Sequence, residues 1–190
     1  MSKFDNVQYE VEGPIAIITL DRVRYRNALS DFLMSDLDAA FKEAVKDRDV
    51  RVITLFGAGD HFSGGHDLGS PQREEAEQLN PTEDGIRGTY RRSWDFDVER
   101  GLRWRSLEKT IIAAVQGYCI FAAWGVAFCG ELTFASDNAL FLPPIFHFFS
   151  LAWYIHQPRR NVLLFILCKT YAQRHNTNNI ADRRSPSGAR

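Results

Sequence analysis

The sequence predicts a single α/β domain, on three observations: two β-branched runs joined by a tight turn, an amphipathic helix after them, and buried strands that each end in a cluster of small residues. Val7 to Glu12 and Ile15 to Leu20 flank Gly13-Pro14, a pair that fixes a turn, so the chain opens as an antiparallel hairpin. From Ser30 to Lys46 the apolar residues Leu33, Leu37, Ala40, Phe41, Ala44 and Val45 recur at helical spacing, with Ser30 or Asp31 available as N-cap. Arg51 to Phe56 is a buried strand ended by Gly57-Ala58-Gly59, which completes a strand–helix–strand unit.

Gly69 to Asp84 holds Pro71, Asn80, Pro81 and a run of acids, and reads as a polar loop with room for a helical turn. Helical spacing returns from Ile86 to Leu107 through Tyr90, Trp94, Val98 and Leu102, with arginines on a face that reads as solvated. Ile111 to Val115 is a compact strand closed by Gly117, the apolar segment Ile120 to Cys129 follows, and Glu131 to Ala135 and Ala139 to Leu142 read as short strands. From about His147 aromatics crowd together, and Thr170 to Arg190 is polar, basic and aperiodic. The expected division is therefore a core over 1–146 and an atypical, partly disordered tail over 147–190.

Composition narrows the function classes. Of the 190 residues, 45% are hydrophobic, enough for a sizeable core, and a net charge of −1 provides no global field to draw the chain to nucleic acid or an anionic membrane. Cys119, Cys129 and Cys168 are odd in number and lack C-x-x-C spacing, which favours buried thiols in a reducing compartment. The polar start Met-Ser-Lys-Phe-Asp-Asn has no apolar signal core, so a cytoplasmic location is expected. Leu140 to Cys168 is apolar but broken by Pro143, Pro144, His147, His156 and Pro158-Arg159-Arg160, short of the roughly 20 uninterrupted apolar residues of a membrane span.

Two loops carry the chemistry: Phe62-Ser63-Gly64-Gly65-His66-Asp67-Leu68 and Gly117-Tyr118-Cys119-Ile120-Phe121-Ala122-Ala123-Trp124-Gly125. Small residues let backbone approach a ligand closely, and a helix starting in such a loop presents free N–H groups, so the pair can bind a developing oxyanion. Either loop alone is an ordinary turn. Ser63, His66 and Asp67 are contiguous, which does not make a hydrolase triad, and His61 and His66 with Asp60 and Asp67 lack metal-ligand spacing, so no metal is expected.

With Leu20-Asp21-Arg22-Val23-Arg24-Tyr25-Arg26-Asn27-Ala28-Leu29, Cys129-Gly130-Glu131-Leu132 and Ala135-Ser136-Asp137-Asn138-Ala139-Leu140-Phe141, these loops place five motifs in register over about residues 5–145. In this the chain resembles the crotonase (enoyl-CoA hydratase/isomerase) family. The resemblance implies a crotonase-like ββα spiral with an N-terminal β-hairpin, an acyl-CoA substrate carrying coenzyme A within it, no separate cofactor, and a homotrimer or hexamer. It assigns the oxyanion N–H groups to Gly64 and Ala122, and substrate contacts to Arg22, Arg24, Arg26, Ser63, His66, Asp67, Leu68 and Phe121. Two readings stay open at the arginines, solvated strand-end charges or contacts to CoA phosphates; Asp67 either caps a turn or faces the substrate.

The resemblance also fails in places. The family's two catalytic glutamates would fall at Gly125 and Ile145, neither of which can move a proton, and Phe121 adds bulk where an acyl chain would lie. The chain ends early for this fold, with a truncated or altered tail expected. Weak hydratase activity is therefore expected, unless an acid such as Asp67, Asp137 or Glu131 reaches the cavity; the alternative is a non-catalytic acyl-CoA binder or interaction subunit.

Overall fold

The computed structural model describes residues 4–82 and 85–142 together with the backbone of 163–166. Ile145 and the tail expected over 147–190, that one short strand aside, lie outside the described residues, as does Cys168.

The hairpin forms where expected, as strands β1 (Val7–Glu12) and β2 (Ile15–Leu20) paired antiparallel from Val7 opposite Leu20 to Glu12 opposite Ile15. Alternation points Ala16, Ile18 and Leu20 into the interior, which is the face that helix α1 (Asp31–Lys46) covers with Leu33, Leu37 and Phe41. Ser30 is the N-cap, its Oγ accepting the Leu33 N–H at 3.1 Å. Ser30→Ala is expected to lower stability by about 1 kcal/mol, read from the shift in the urea midpoint at unchanged slope.

Strands β3 (Val52–Gly57), β4 (Thr110–Val115), β6 (Leu132–Ala135) and β8 (Leu163–Ile166) extend the sheet in the order β1-β2-β3-β4-β6-β8, every pair after the hairpin being parallel. A second, two-stranded parallel sheet joins β5 (Tyr118–Ile120) to β7 (Leu140–Leu142). Beyond the hairpin turn, β2 and β3 run on to helices and β4 and β6 to the smaller sheet, and the two chemistry-bearing loops leave the same ends of the parallel neighbours β3 and β4. Among the described residues no helix is long and apolar enough to cross a membrane.

Two stretches depart from the sequence reading. Residues expected as loop form helix α2 (Pro71–Leu79): proline at the first helical position has no N–H to satisfy and a preset φ, and Ala76 is buried beneath it. The single helix expected over Ile86 to Leu107 is instead α3 (Gly85–Ser93), a π-helical turn (Trp94–Glu99) and α4 (Arg100–Arg105). The wider turn shifts the phase of the apolar residues, so Tyr90 is exposed while Trp104 is buried, its ring 5.3 Å from that of Phe41 and its Nε1 donating to Asp38 at 2.8 Å. The arginines of this region pin it to α1, Arg92 to Asp31 at 3.0 Å and Arg103 to Asp38 at 2.8 Å, rather than pointing only into solvent.

Candidate active site

The first loop leaves β3, is anchored by the fully buried Phe62, and runs beside the second loop in an isolated parallel bridge between Ser63 and Cys119. The Ser63 N–H donates to the Tyr118 carbonyl at 2.9 Å and the Ile120 N–H to the Ser63 carbonyl at 3.2 Å. One step on, Gly65 takes φ +84° with its backbone so close to the Ile120 carbonyl that an added Cβ would lie 2.5 Å from that oxygen. Only glycine permits this approach.

A third segment braces both. Asn27, buried with φ 53°, accepts the Arg22 N–H at 2.9 Å and donates from Nδ2 to the carbonyls of Ala58, His61 and Phe62 at 2.9–3.1 Å. Arg22 is buried too. Its guanidinium lies 3.0 Å from the Asp67 carboxylate and donates to the Ala28 carbonyl and the Ser70 hydroxyl. Asp67 in turn accepts the N–H groups of Gly69 and Ser70 and the Ser70 hydroxyl. Burial pushes the Asp67 carboxyl up, and the Ser70 and Gly69 donors and Arg22 outweigh it, holding the group below the usual carboxylate range.

These contacts correct several assignments. Arg22 and Asp67 are held by each other and by the loop and so shape the site, with Asp67 also bordering both of the larger cavities described below. The Ser63 hydroxyl is engaged within the loops, donating to the Asn27 carbonyl and accepting the Gly65 N–H. Leu68 is 82% exposed. Gly64 does not present a free N–H either, because that group donates to the Arg26 carbonyl at 2.8 Å. Phe62, Ser63, Gly64, Gly65 and Asp67 all have committed N–H groups; between Phe62 and Asp67 only His66 has one without a hydrogen-bond partner among the described residues. Motif spacing could not show this, since it is the pairing of Gly65 and Asp67 with Leu29 across the chain that turns the His66 N–H the other way. In the second loop the Phe121 N–H donates to the Leu142 carbonyl, and Ala122, the residue before helix α5 (Ala123–Ala127), has no partner for its own among the described residues.

Two cavities border the first loop. One, of about 560 Å³, is lined by Arg24, Arg26, Tyr25, His61 and Ser70, with Arg24 and Arg26 exposed. The other, of about 710 Å³, is lined by Leu29, His66, Arg92, Phe96 and Asp97 among others. Phe121, in the left-handed region at φ 49° and 43% exposed, stands beside the second loop. Gly125 lies against the π-helical turn, in a narrow cleft with Ala122, Phe96 and Asp97, where an added Cβ would meet the Asp97 carbonyl at 3.7 Å.

Sequence reasoning missed Asp97. Its Oδ1 lies 3.1 Å from His66 Nε2, and the His66 ring tilts against Phe96 at 5.3 Å between centroids. The acids considered instead do not arrive: Asp137 is exposed in a turn, and Glu131 accepts the Ile111 N–H. The only sequence signal was an acid within Trp94-Asp95-Phe96-Asp97, whose direction depends on the π-turn. His61 stacks on Tyr118 at 4.2 Å and its Nδ1 accepts the Tyr118 N–H, which accounts for it without a ligand.

The enoyl-CoA hydratase/isomerase family profile matches residues 10–150. The chain is 38% identical to a Mycobacterium tuberculosis protein named "Putative enoyl-CoA hydratase EchA13", over 73% of this chain and 48% of that one. It is 31% identical to the short-chain-enoyl-CoA hydratase of Clostridium acetobutylicum, over 75% of this chain and 51% of that one. Among solved structures, a probable enoyl-CoA hydratase from Mycobacterium smegmatis superposes with a TM-score of 0.64 at 37% identity, covering 73% of this chain and 52% of that one. The chain thus spans about half the length of the curated relatives it matches. An enoyl-CoA hydratase/isomerase from Xanthobacter autotrophicus, at 23% identity and a TM-score of 0.70, shares the fold over 94% of this chain. With its hairpin, parallel sheet and flanking helices in the expected order, the chain has the crotonase fold and belongs to the enoyl-CoA hydratase/isomerase family.

Proposed function

We propose that this chain binds an acyl-CoA thioester and polarises its carbonyl between the backbone N–H groups of His66 and Ala122. The observation that carries this is the pattern of committed donors: from Phe62 to Asp67 every N–H but that of His66 is paired, and Ala122, at the start of α5 beside that loop, has no partner for its own among the described residues. Preorganised backbone donors of this kind stabilise an enolate-like oxygen because they need no reorientation as charge develops, and removing one typically costs about 10²–10³ in rate. The exposed Arg24 and Arg26 line one cavity and suit CoA phosphates; the other, where Leu29 and Phe96 are the apolar residues of a mostly polar and charged lining, would seat a short acyl group beside His66.

Hydration is the weak point of such a site. With Gly125 where the family has a carboxylate, no side chain on α5 activates water, so crotonyl-CoA hydration is expected to be slow. This same feature favours the second reading, a thioester binder without turnover.

Thermal melting with crotonyl-CoA, acetyl-CoA and free CoA tests the binding step. Saturating thioester is expected to raise stability by about 2.7 kcal/mol at a hundred times Kd, and Arg24→Glu with Arg26→Glu to weaken CoA binding at least tenfold with a shallower salt dependence. Absence of any shift with every thioester would end the proposal.

A further inference from the structure

Resting on the thioester reading above, we infer that Asp97, paired with the His66 imidazole, is the proton-transfer group of this site, and that its chemistry is removal and return of a proton at the carbon next to the thioester carbonyl. Asp97 differs from the other carboxylates that are buried or partly buried. Asp67 and Asp38 are each saturated by several donors, whereas Asp97 Oδ1 is buried without an aligned hydrogen bond among the described residues, with His66 Nε2 at 3.1 Å. A buried acceptor left this way is uncommon in a group that only holds a fold together.

Its position ties it to the reacting atoms. Asp97 borders both the 710 Å³ cavity, with His66 and Phe96, and the narrow cleft, with Ala122 and Gly125. It therefore lies between the two residues whose N–H groups would hold the carbonyl oxygen, facing the position where α5 has only a glycine. His66 links the two functions: its backbone binds the oxygen and its side chain holds the acid. The π-helical turn is what brings Phe96 and Asp97 to this wall, and such turns are frequent at functional sites.

The step balances without a further reactant. The Asp97 carboxylate takes the α-proton, the C–H electron pair forms the carbon–carbon double bond of the enolate, and the carbonyl π pair moves onto the oxygen held by the N–H groups. The reverse step returns a proton to carbon. The half-buried His66 imidazole, 36% exposed, connects Asp97 with solvent, so the proton returned in heavy water is a deuteron. One acid–base group suffices for this transfer, while hydration would also require activation of water.

The test is α-hydrogen exchange of butyryl-CoA in D2O, followed by mass spectrometry, beside its Kd by calorimetry. Exchange above the buffer rate is expected for the unmodified chain, with a loss of about 10²–10⁴ in Asp97→Asn at a Kd changed less than threefold. Asp97→Glu, which keeps a carboxylate, is expected to retain exchange within about tenfold of the unmodified chain, an effect that loss of packing would not produce. His66→Gln keeps the backbone N–H and is expected to bind while exchanging more slowly. Binding without exchange, or an Asp97→Asn variant that exchanges normally, overturns this inference alone; failure to bind butyryl-CoA at all overturns the thioester reading and this one with it.

Discussion

Gly65→Ala is expected to separate the two loops and, with them, the two N–H groups proposed to hold the thioester. The substitution meets two penalties. At φ +84° an L side chain is strained, and the new Cβ would sit 2.5 Å from the Ile120 carbonyl oxygen, a backbone atom held by the strand it belongs to. Strain of this kind costs about 1–3 kcal/mol, and overpacking adds about 1–3 kcal/mol, so a drop of about 2–6 kcal/mol in urea unfolding is expected, with thioester binding lost even where the fold survives. Gly125→Ala supplies the contrast. Its Cβ would meet only the Asp97 carbonyl at an ordinary 3.7 Å, and within α5 alanine is favoured over glycine by about 0.5–1 kcal/mol, so stability should hold or rise slightly. Equal losses in both variants would show that the loop contact is not what makes Gly65 special.

How far the sequence reveals this molecule follows the range of the interactions concerned. The hairpin and α1 are legible because their signals are local: period-two β-branched residues about Gly13-Pro14, and a helical stripe after Ser30. Helix α2 is misread because a polar stretch containing proline resembles a loop, although proline at its first position is a start signal. The π-turn is illegible because a 3.6-residue pattern cannot register where the chain adds a residue per turn. The site divides in the same way. Motif order locates both loops and Ala122, but which N–H of the first loop is free depends on Leu29, and which acid faces the cavity depends on Asp97 meeting His66 from another element. Charge near a motif is equally ambiguous: Arg22, Arg24 and Arg26 look alike in sequence, yet the first is buried on Asp67 and the other two are exposed.

That buried pair sets the other large effect, expected from Arg22→Ala. Side chains only 4% and 5% exposed are joined at 3.0 Å, with Ser70 and the Ala28 carbonyl completing the set. Removing the arginine leaves a carboxylate in the interior of the bracing segment, which typically costs about 3–5 kcal/mol, a large share of a domain's usual stability of about 5–15 kcal/mol. Arg22→Met with Asp67→Leu removes both charges and is expected to recover part of that loss, so the double change should be more stable than Arg22→Ala. The pH dependence gives an independent readout. A carboxyl whose pKa is lowered by folding contributes stability that is present above its unfolded value and lost as pH falls through the folded one. For Asp67 that places the onset near pH 4 and the loss below it. Asp38 acts in the same window: burial pushes it up, but Lys42, Arg103 and Trp104 hold it down at about 2, so its share disappears between about pH 4 and about 2. In Arg22→Ala the burial of Asp67 persists while its cation is gone, so the acid limb of stability should begin at higher pH than in the unmodified chain. Urea midpoints measured from pH 7 to 2 for both proteins decide it; superimposable acid limbs would mean that Ser70 and the backbone alone hold the carboxylate.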